Sequence, residues 1–484
     1  MRAIVCALAA LLVCANAANE KKIVCYYSSW AVYRPGNGKA DIAEIDPTLC
    51  THLIYTFIGI NENAQINLLD AWAHLPSGKN GFNLFNQLRQ RSPGLKTLIA
   101  VGGWNEGSMK YSKVVGNPAL RKTLVNNLAN FVKEWNFDGL DFDWEYPNQR
   151  GGVPSDKKNY VMLLKELRER FDKEGLLLSA AVAGAKKSSS LSYIMPEVSQ
   201  YLDIINVMAY DLHGSWEANT GINSPLYPGS WEVGDDRQLN VNACINYWIS
   251  SGAPREKIVL GIPAYGRTFT LDDSGNNKIG APARQGGNAG PYSQQTGHLN
   301  YNEFCESNMK EKWKIHFNKE QRVPYAVKGN QWIGYDDDRS ITEKAEYVNK
   351  LGLGGAMIWS IEADDFKGIC GDKYPLLRAL NKVLRKGVAL PSTTSKASSS
   401  TSGSSTATTV SSSTQNSVSC NDAGYERDPF NCSVYYYCQP DGNGGFIRHN
   451  YKCPDNLYYD EDLRICNWPY LVHCAIDNID DFEN

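Results

Sequence analysis

The segment Asp138-Gly139-Leu140-Asp141-Phe142-Asp143-Trp144-Glu145-Tyr146 carries a carboxylate at every second position from 141 to 145. In an extended chain alternate side chains share a face. Asp141, Asp143 and Glu145 therefore stand in line at steps of ~6.6 Å, with Leu140, Phe142 and Trp144 opposite. The apolar face needs a core, so the acidic face must turn the other way, into the interior of a closed sheet. Like charges at this range cannot all ionise, and at least one carboxyl is expected to keep its proton near neutral pH. That is what a general acid requires. Glu145, nearest the open end and longest, is the expected donor. Asp138 is out of phase and is expected to serve as a cap or turn partner. A cation cluster and a structural salt-bridge network are the competing readings. Aromatic residues around the segment argue against a phosphate-handling metal site, and no Cys/His spacing resembles a zinc site. No metal and no cofactor are expected.

Elements able to hold such a ladder recur along the chain. Runs rich in Val, Ile and Leu cover 23–30, 52–60, 96–103, 137–146, 176–184, 203–211, 258–266 and 354–362, with longer stretches at helical spacing between them. Within 155–171, for example, Tyr160, Leu163, Leu164, Leu167 and Phe171 fall on one helical face. Eight buried strands alternating with helices predict an α/β fold, a (β/α)8 TIM barrel. An open doubly wound sheet would carry a glycine-rich phosphate turn after its first strand, and none is present. The gap between the seventh and eighth runs is too long for one helix, which predicts a small insertion at about 268–332. Strands of such a barrel present their carboxyl ends to the active site. Tyr26, Phe57, Trp104, Met208, Tyr210, Asp211, Tyr265, Arg267 and Trp359 all fall at or just past those ends. Any one of them could be core; together they ring one mouth, and Trp359 is expected to floor a pyranose ring.

Counts bound the rest. The 484 residues carry 49 Lys+Arg against 52 Asp+Glu, for a net charge of −3, which lacks the basic footprint of a nucleic-acid binder. Met1-Arg2, an apolar run from Ala3 to Ala15 and Ala15-Asn16-Ala17 have the layout of a secretory signal, residues 1–17. No later run reaches the ~18 apolar residues of a membrane span. A secreted, soluble, monomeric chain is expected, in a compartment where disulfides persist. Of the 13 cysteines, Cys6 and Cys14 would leave with the signal, and six crowd between Cys420 and Cys474. Cys244 sits in a helical apolar stripe and is expected to be buried and inert. Cys25 and Cys50 flank neighbouring strands and should pair, which leaves Cys305 for Cys370. Residues 391–418 are nearly all Ser, Thr, Ala and Gly, too polar to fold, and divide a large domain (18–390) from a small disulfide-rich one (419–484). Six cysteines allow 15 connectivities. The sole Asn-x-Ser/Thr sequon, Asn431-Cys432-Ser433, straddles one of those cysteines.

At this point two resemblances are apparent. Asp138–Pro147 resembles the D-x-x-D-x-D-x-E signature of family 18 glycoside hydrolases, with every acidic position filled. Gly102-Gly103-Trp104, Met208-Ala209-Tyr210-Asp211, Pro263-Ala264-Tyr265-Gly266-Arg267 and Gly354-Gly355-Ala356-Met357-Ile358-Trp359 resemble that family's other blocks, in order. The resemblance covers roughly 22–385. It implies an endo-acting chitinase in which Glu145 protonates the glycosidic oxygen and the substrate's own 2-acetamido group attacks, giving an oxazolinium ion and net retention. Asp143 would orient that group and share a proton with Asp141 or Glu145; Tyr210 would bond its oxygen and Asp211 would position the sugar. Tyr26, Phe57, Gly103, Trp104, Met208, Trp216, Tyr265, Arg267 and Trp359 would line the cleft. The family also holds chitin-binding lectins that lack the acid, and the intact Glu145 argues against that alternative. The tail resembles the peritrophin-A chitin-binding module, a small β-type domain, which implies the pairs Cys420–Cys438, Cys432–Cys474 and Cys453–Cys466. Chitin and chito-oligosaccharides are the implied partners.

Overall fold

Eight parallel strands close on themselves. In chain order they are β1 (Lys22–Ser28), β2 (His52–Ile60), β3 (Lys96–Gly102), β4 (Gly139–Asp143), β5 (Leu177–Ala183), β6 (Ile204–Met208), β7 (Ile258–Pro263) and β8 (Gly355–Trp359). Each pairs with its sequence neighbour, and β1 also pairs with β8, through Lys22↔Gly355 to Cys25↔Ile358, so the sheet has no free edge. The computed structural model describes residues 21–387, 424–428, 431–440, 446–453, 458–460, 465–467 and 472. The predicted signal and the Ser/Thr-rich segment lie outside these residues. By contact density the chain divides into two units, Met1–Ser395 and Lys396–Asn484.

Alternation sorts the barrel side chains into two layers. Val24 and Tyr26 of β1, Leu98 and Ala100 of β3, and Met357 of β8 pack in a small interior cluster. Ile23, Cys25, Tyr27, Ile99, Val101, Ala356 and Ile358 join the large outer core beneath the helices. β4 obeys the same rule: Leu140 and Phe142 face outward, and Phe142 meets the Tyr111 and Tyr160 rings. Asp141 and Asp143 are thereby forced inward. In β2 the register shifts between Tyr55 and Ile58, which resets the phase. Ile58 joins the outer core and Phe57 packs against the interior cluster.

The helices behave as their periodicity predicts. The one at Asp156–Phe171 buries Tyr160, Leu163, Leu164, Leu167 and Phe171, each worth about 1.5–3 kcal/mol relative to exposure. After β7 comes an antiparallel sheet built from strands between Tyr265 and Gly334, with a helix at Tyr301–Glu311. It has its own core of Ile222, Phe269, Val323 and Trp332. Cys25–Cys50 and Cys305–Cys370 are bridged, and Cys244 is free and buried, its thiol pushed up to about 12 by burial. The first bridge closes a 25-residue loop, an entropic gain of about 3.5 kcal/mol.

The second unit contains a three-stranded antiparallel sheet, Gly424–Asp428, Asn431–Pro440 and Phe446–Lys452, and a two-stranded one, Tyr458–Asp460 with Ile465–Asn467. Tyr435 stacks on Tyr451 and on Tyr459, with centroids 5.4 and 4.1 Å apart. Cys432, Cys438 and Cys453 are disulfide-bonded. Their partners by the family pattern involve Cys420, Cys466 and Cys474, which fall outside the described side chains.

Candidate active site

The acidic ladder lies at the carboxyl end of β4, with a shorter strand than the alternation suggested. Pairing ends at Asp143, and Glu145 stands on the loop just beyond. The alternation nonetheless carries on for one more residue, because Trp144 is buried between Tyr111 and Tyr160 and donates its indole N–H to Ser108 Oγ at 2.9 Å. Asp138 is structural, as expected: its carboxylate accepts from Arg89 and from the Thr97 N–H, both at 2.9 Å. Burial opposes ionisation there, yet the Thr97 bond and the Arg89 charge hold the carboxyl below its ordinary range.

The three inward carboxyls differ in setting. Asp141 is fully buried and accepts from Tyr26 Oη at 2.8 Å, Ser179 Oγ at 2.5 Å and Asn206 Nδ2 at 3.2 Å. Burial pushes it up to about 6, against those three donors. Asp143 is also buried and, among the described residues, its Oδ1 has no hydrogen-bond partner. Burial, then the charges of Glu145 and Asp141, raise its carboxyl well above the usual range. Glu145 reaches about 7, raised by burial and by Asp211, and held back by the Tyr146 hydroxyl and the Arg150 guanidinium. The expected elevation is present, but burial rather than mutual repulsion is its main cause.

Aromatic residues predicted for the cleft fall into two connected groups. The floor is Trp359, which meets Tyr26 at 5.4 Å and Phe57 at 5.8 Å between ring centroids. Met208 and Tyr210 pack against the same interior cluster, and the Tyr210 hydroxyl donates to Met357 Sδ at 3.8 Å. The wall is Asp211, whose Oδ1 accepts from Tyr265 Oη at 2.8 Å and Arg267 Nε at 2.7 Å. Arg267 in turn lies over the Trp216 ring at 5.2 Å. Tyr210 and Tyr265 join floor to wall edge-on, 6.1 Å apart. On the remaining side Trp104 is 58% exposed. Gly103 accounts for how the chain reaches it: φ is 89°, and a Cβ there would sit 2.8 Å from the Phe57 ring.

Several contributors escaped the sequence reading. Ser179 and Asn206 are polar interruptions of apolar strands, a signal that was available. Trp30 stacks on Phe57 at 6.0 Å and borders a pocket shared with Tyr33, Tyr292 and His298. Arg150 stacks on Trp104 at 3.4 Å and donates to the Trp104 and Glu145 carbonyls. Nothing in periodicity marks it, because it depends on a left-handed φ of 52° in a turn.

A parallel barrel with an acid ladder and an aromatic cleft at its strand ends defines a glycoside hydrolase. Residues 22–364 match the model for glycosyl hydrolases family 18, and 420–474 match that for the chitin-binding peritrophin-A domain. The chain is 41% identical over 412 residues to an endochitinase of Manduca sexta, covering 82% of this chain and 74% of that one. It is 38% identical over 489 residues to probable chitinase 10 of Drosophila melanogaster, covering 95% of this chain but 21% of that much longer one. Among solved structures, the Group IV chitinase of Ostrinia furnacalis superposes with TM-score 0.74 at 44% identity, over 76% of this chain and all of that one. Human YKL-39, described as a pseudo-chitinase that retains chito-oligosaccharide binding, superposes with TM-score 0.70 at 39% identity, over 75% of this chain and all of that one. The chain belongs to glycosyl hydrolases family 18 and carries a C-terminal peritrophin-A chitin-binding domain.

Proposed function

We propose that this protein is a secreted, endo-acting chitinase that cleaves β-1,4 linkages between N-acetylglucosamine units with retention of configuration. Glu145 gives its proton to the glycosidic oxygen as the C1–O bond breaks. The carbonyl oxygen of the substrate's 2-acetamido group bonds to C1, forming an oxazolinium ion. Asp143 accepts the acetamido N–H and stabilises the positive charge. Water, giving a proton to Glu145, then opens the ring at C1 from the face the leaving group left. Tyr210 bonds the acetamido oxygen, Asp211 positions the reacting sugar, and Trp359 floors it.

The observation that carries this reading is the unpaired, buried Asp143 Oδ1 beside an acid raised to about 7. A buried acceptor without a donor is costly, and an acetamido N–H is a donor of the right kind. The lectin alternative is weaker because Glu145, Asp143 and Tyr210 are all present. Secretion is supported by the signal-like amino terminus and by two disulfides in the barrel unit. A monomer acting without cofactor, membrane or nucleic acid suits a neutral polymer and a near-neutral chain. The test is Glu145→Gln: hydrolysis of a chito-oligosaccharide should fall by at least about 10³-fold while chitin binding persists, and wild type should release β-anomer first. Substantial turnover by Glu145→Gln, or initial α-anomer from wild type, would overturn the mechanism.

A further inference from the structure

The chain leaving β6 carries Tyr210 and Asp211 to the mouth and then doubles back to Asn223. Asp211 itself stands at φ 56°, a left-handed conformation uncommon for a residue with a side chain and here held by its surroundings. What holds it is one buried carboxamide. The Asp211 N–H donates to Asn223 Oδ1 at 2.9 Å, and Asn223 Nδ2 donates to the Tyr265 carbonyl at 3.0 Å. The Leu212 N–H closes the turn on the Asn223 carbonyl at 3.1 Å. Asn223 thus joins the backbones of the two residues whose side chains meet at Asp211 Oδ1.

The clamp is anchored from below. Ser224 Oγ donates to the Ala209 carbonyl at 2.8 Å, and the buried Lys344 ammonium donates to the Ser224 carbonyl at 2.7 Å. Lys344 is itself paired with buried Asp336. Only a side chain offering one donor and one acceptor satisfies both backbone groups at this point.

We propose that Asn223 is a positioning residue for the hydrolytic reaction, holding the Asp211 turn against the Tyr265 strand so that the Asp211 carboxylate is presented at the reacting sugar. The inference rests on the proposed hydrolytic role of this site. Because Asp211 lies close enough to Glu145 for its charge to act there, displacement should be felt in turnover more than in binding along the distal cleft. A shift of about 1 Å in such a group costs about 10²-fold.

The experiment is a double-mutant cycle on the full chain with a soluble chito-oligosaccharide, accompanied by thermal melts. Asn223→Ala should lower kcat about 10- to 100-fold with KM changed less than about threefold. Added to Asp211→Ala, it should cost less than about a further twofold. Asn223→Asp keeps the acceptor for the Asp211 N–H and should recover part of the loss. If Asn223→Ala does not fold, the cycle is run with Asn223→Asp, which loses only the donor to the Tyr265 carbonyl. Its smaller loss of kcat, at least about threefold, should likewise vanish in the Asp211→Ala background, and no loss, or one that persists there, would overturn the proposal. A kcat within about threefold of wild type, or a loss that multiplies undiminished in the Asp211→Ala background, would overturn the proposal. Glu145→Gln separates the two readings: if it is inactive while Asn223→Ala is normal, only the positioning role falls.

Discussion

The Tyr26 hydroxyl donates to Asp141 Oδ2 at 2.8 Å across 115 residues of chain, and the Asn206 amide touches both groups, at 3.0 and 3.2 Å. A carboxyl at the bottom of an acid ladder is therefore held by donors that favour its charged form, against a burial that does not.

Removing one donor should shift that balance. Tyr26→Phe is expected to raise Asp141 and to move the acid limb of the kcat/KM pH profile upward by about 0.5–1 pH unit. An unchanged limb would show that the Asp141–Asp143 pair does not govern it.

On the proposed mechanism the alkaline limb belongs to Glu145, whose proton would be needed for cleavage and is lost as pH rises through about 7. Arg150 lowers that carboxyl, so Arg150→Ala should carry the limb to higher pH. It should also raise KM severalfold, because the Trp104 ring loses the guanidinium stacked 3.4 Å away. Asp211→Asn removes a charge that raises Glu145 and should move the same limb down.

Stability should depend on pH in the opposite sense to an ordinary salt bridge. Glu145 binds its proton more tightly when folded, rising from 4.5 to about 7. Between these values the native state holds more protons than the unfolded chain, and stability is lost as pH rises through that window. Glu145→Gln removes the titration, so its stability should gain on wild type from pH 4.5 to 7, by an amount on the order of 1–3 kcal/mol, read as a rise in relative Tm. Thermal melts across that range check the sign.

Gly103→Ala should be severe for a single methyl. The backbone sits at φ 89° and the new Cβ would meet Phe57 at 2.8 Å. A stability loss of about 1–3 kcal/mol, with reduced turnover as Phe57 leaves the Trp359 floor, is expected by melting and by rate.

A truncation after Leu390 should spare hydrolysis of soluble oligomers and lower that of solid chitin about tenfold or more, since the tail module would act through local concentration. Equal losses on both substrates would refute the tether.

Much of this was legible without coordinates, for a definite reason. A strand repeats every two residues, so Asp141 and Asp143 could be placed on one face and Phe142 on the other from their positions alone. Closure of eight such runs into a barrel then left the carboxylates no direction but inward. The same counting ran the strand on to Glu145, which lies past the last pairing, and it could not foresee the irregularity in β2 that turns Phe57 inward and Ile58 out. Arg150 and Asn223 carried no periodic signal, because each acts from an irregular loop on groups far along the chain or held in a left-handed turn.

By itself, then, the sequence determined which chemistry was available: an acid ladder, a ring of aromatics, and a cysteine-rich tail, all set by residue type and local spacing. The tertiary structure decided how the acids are tuned. Burial is a property of the whole barrel, and it is burial that lifts both acids: Asp141 to about 6, trimmed by donors from β1, β5 and β6, and Glu145 to about 7, trimmed by Tyr146 and Arg150. No short-range pattern encodes that, because the energy of a charge depends on everything that displaces water around it.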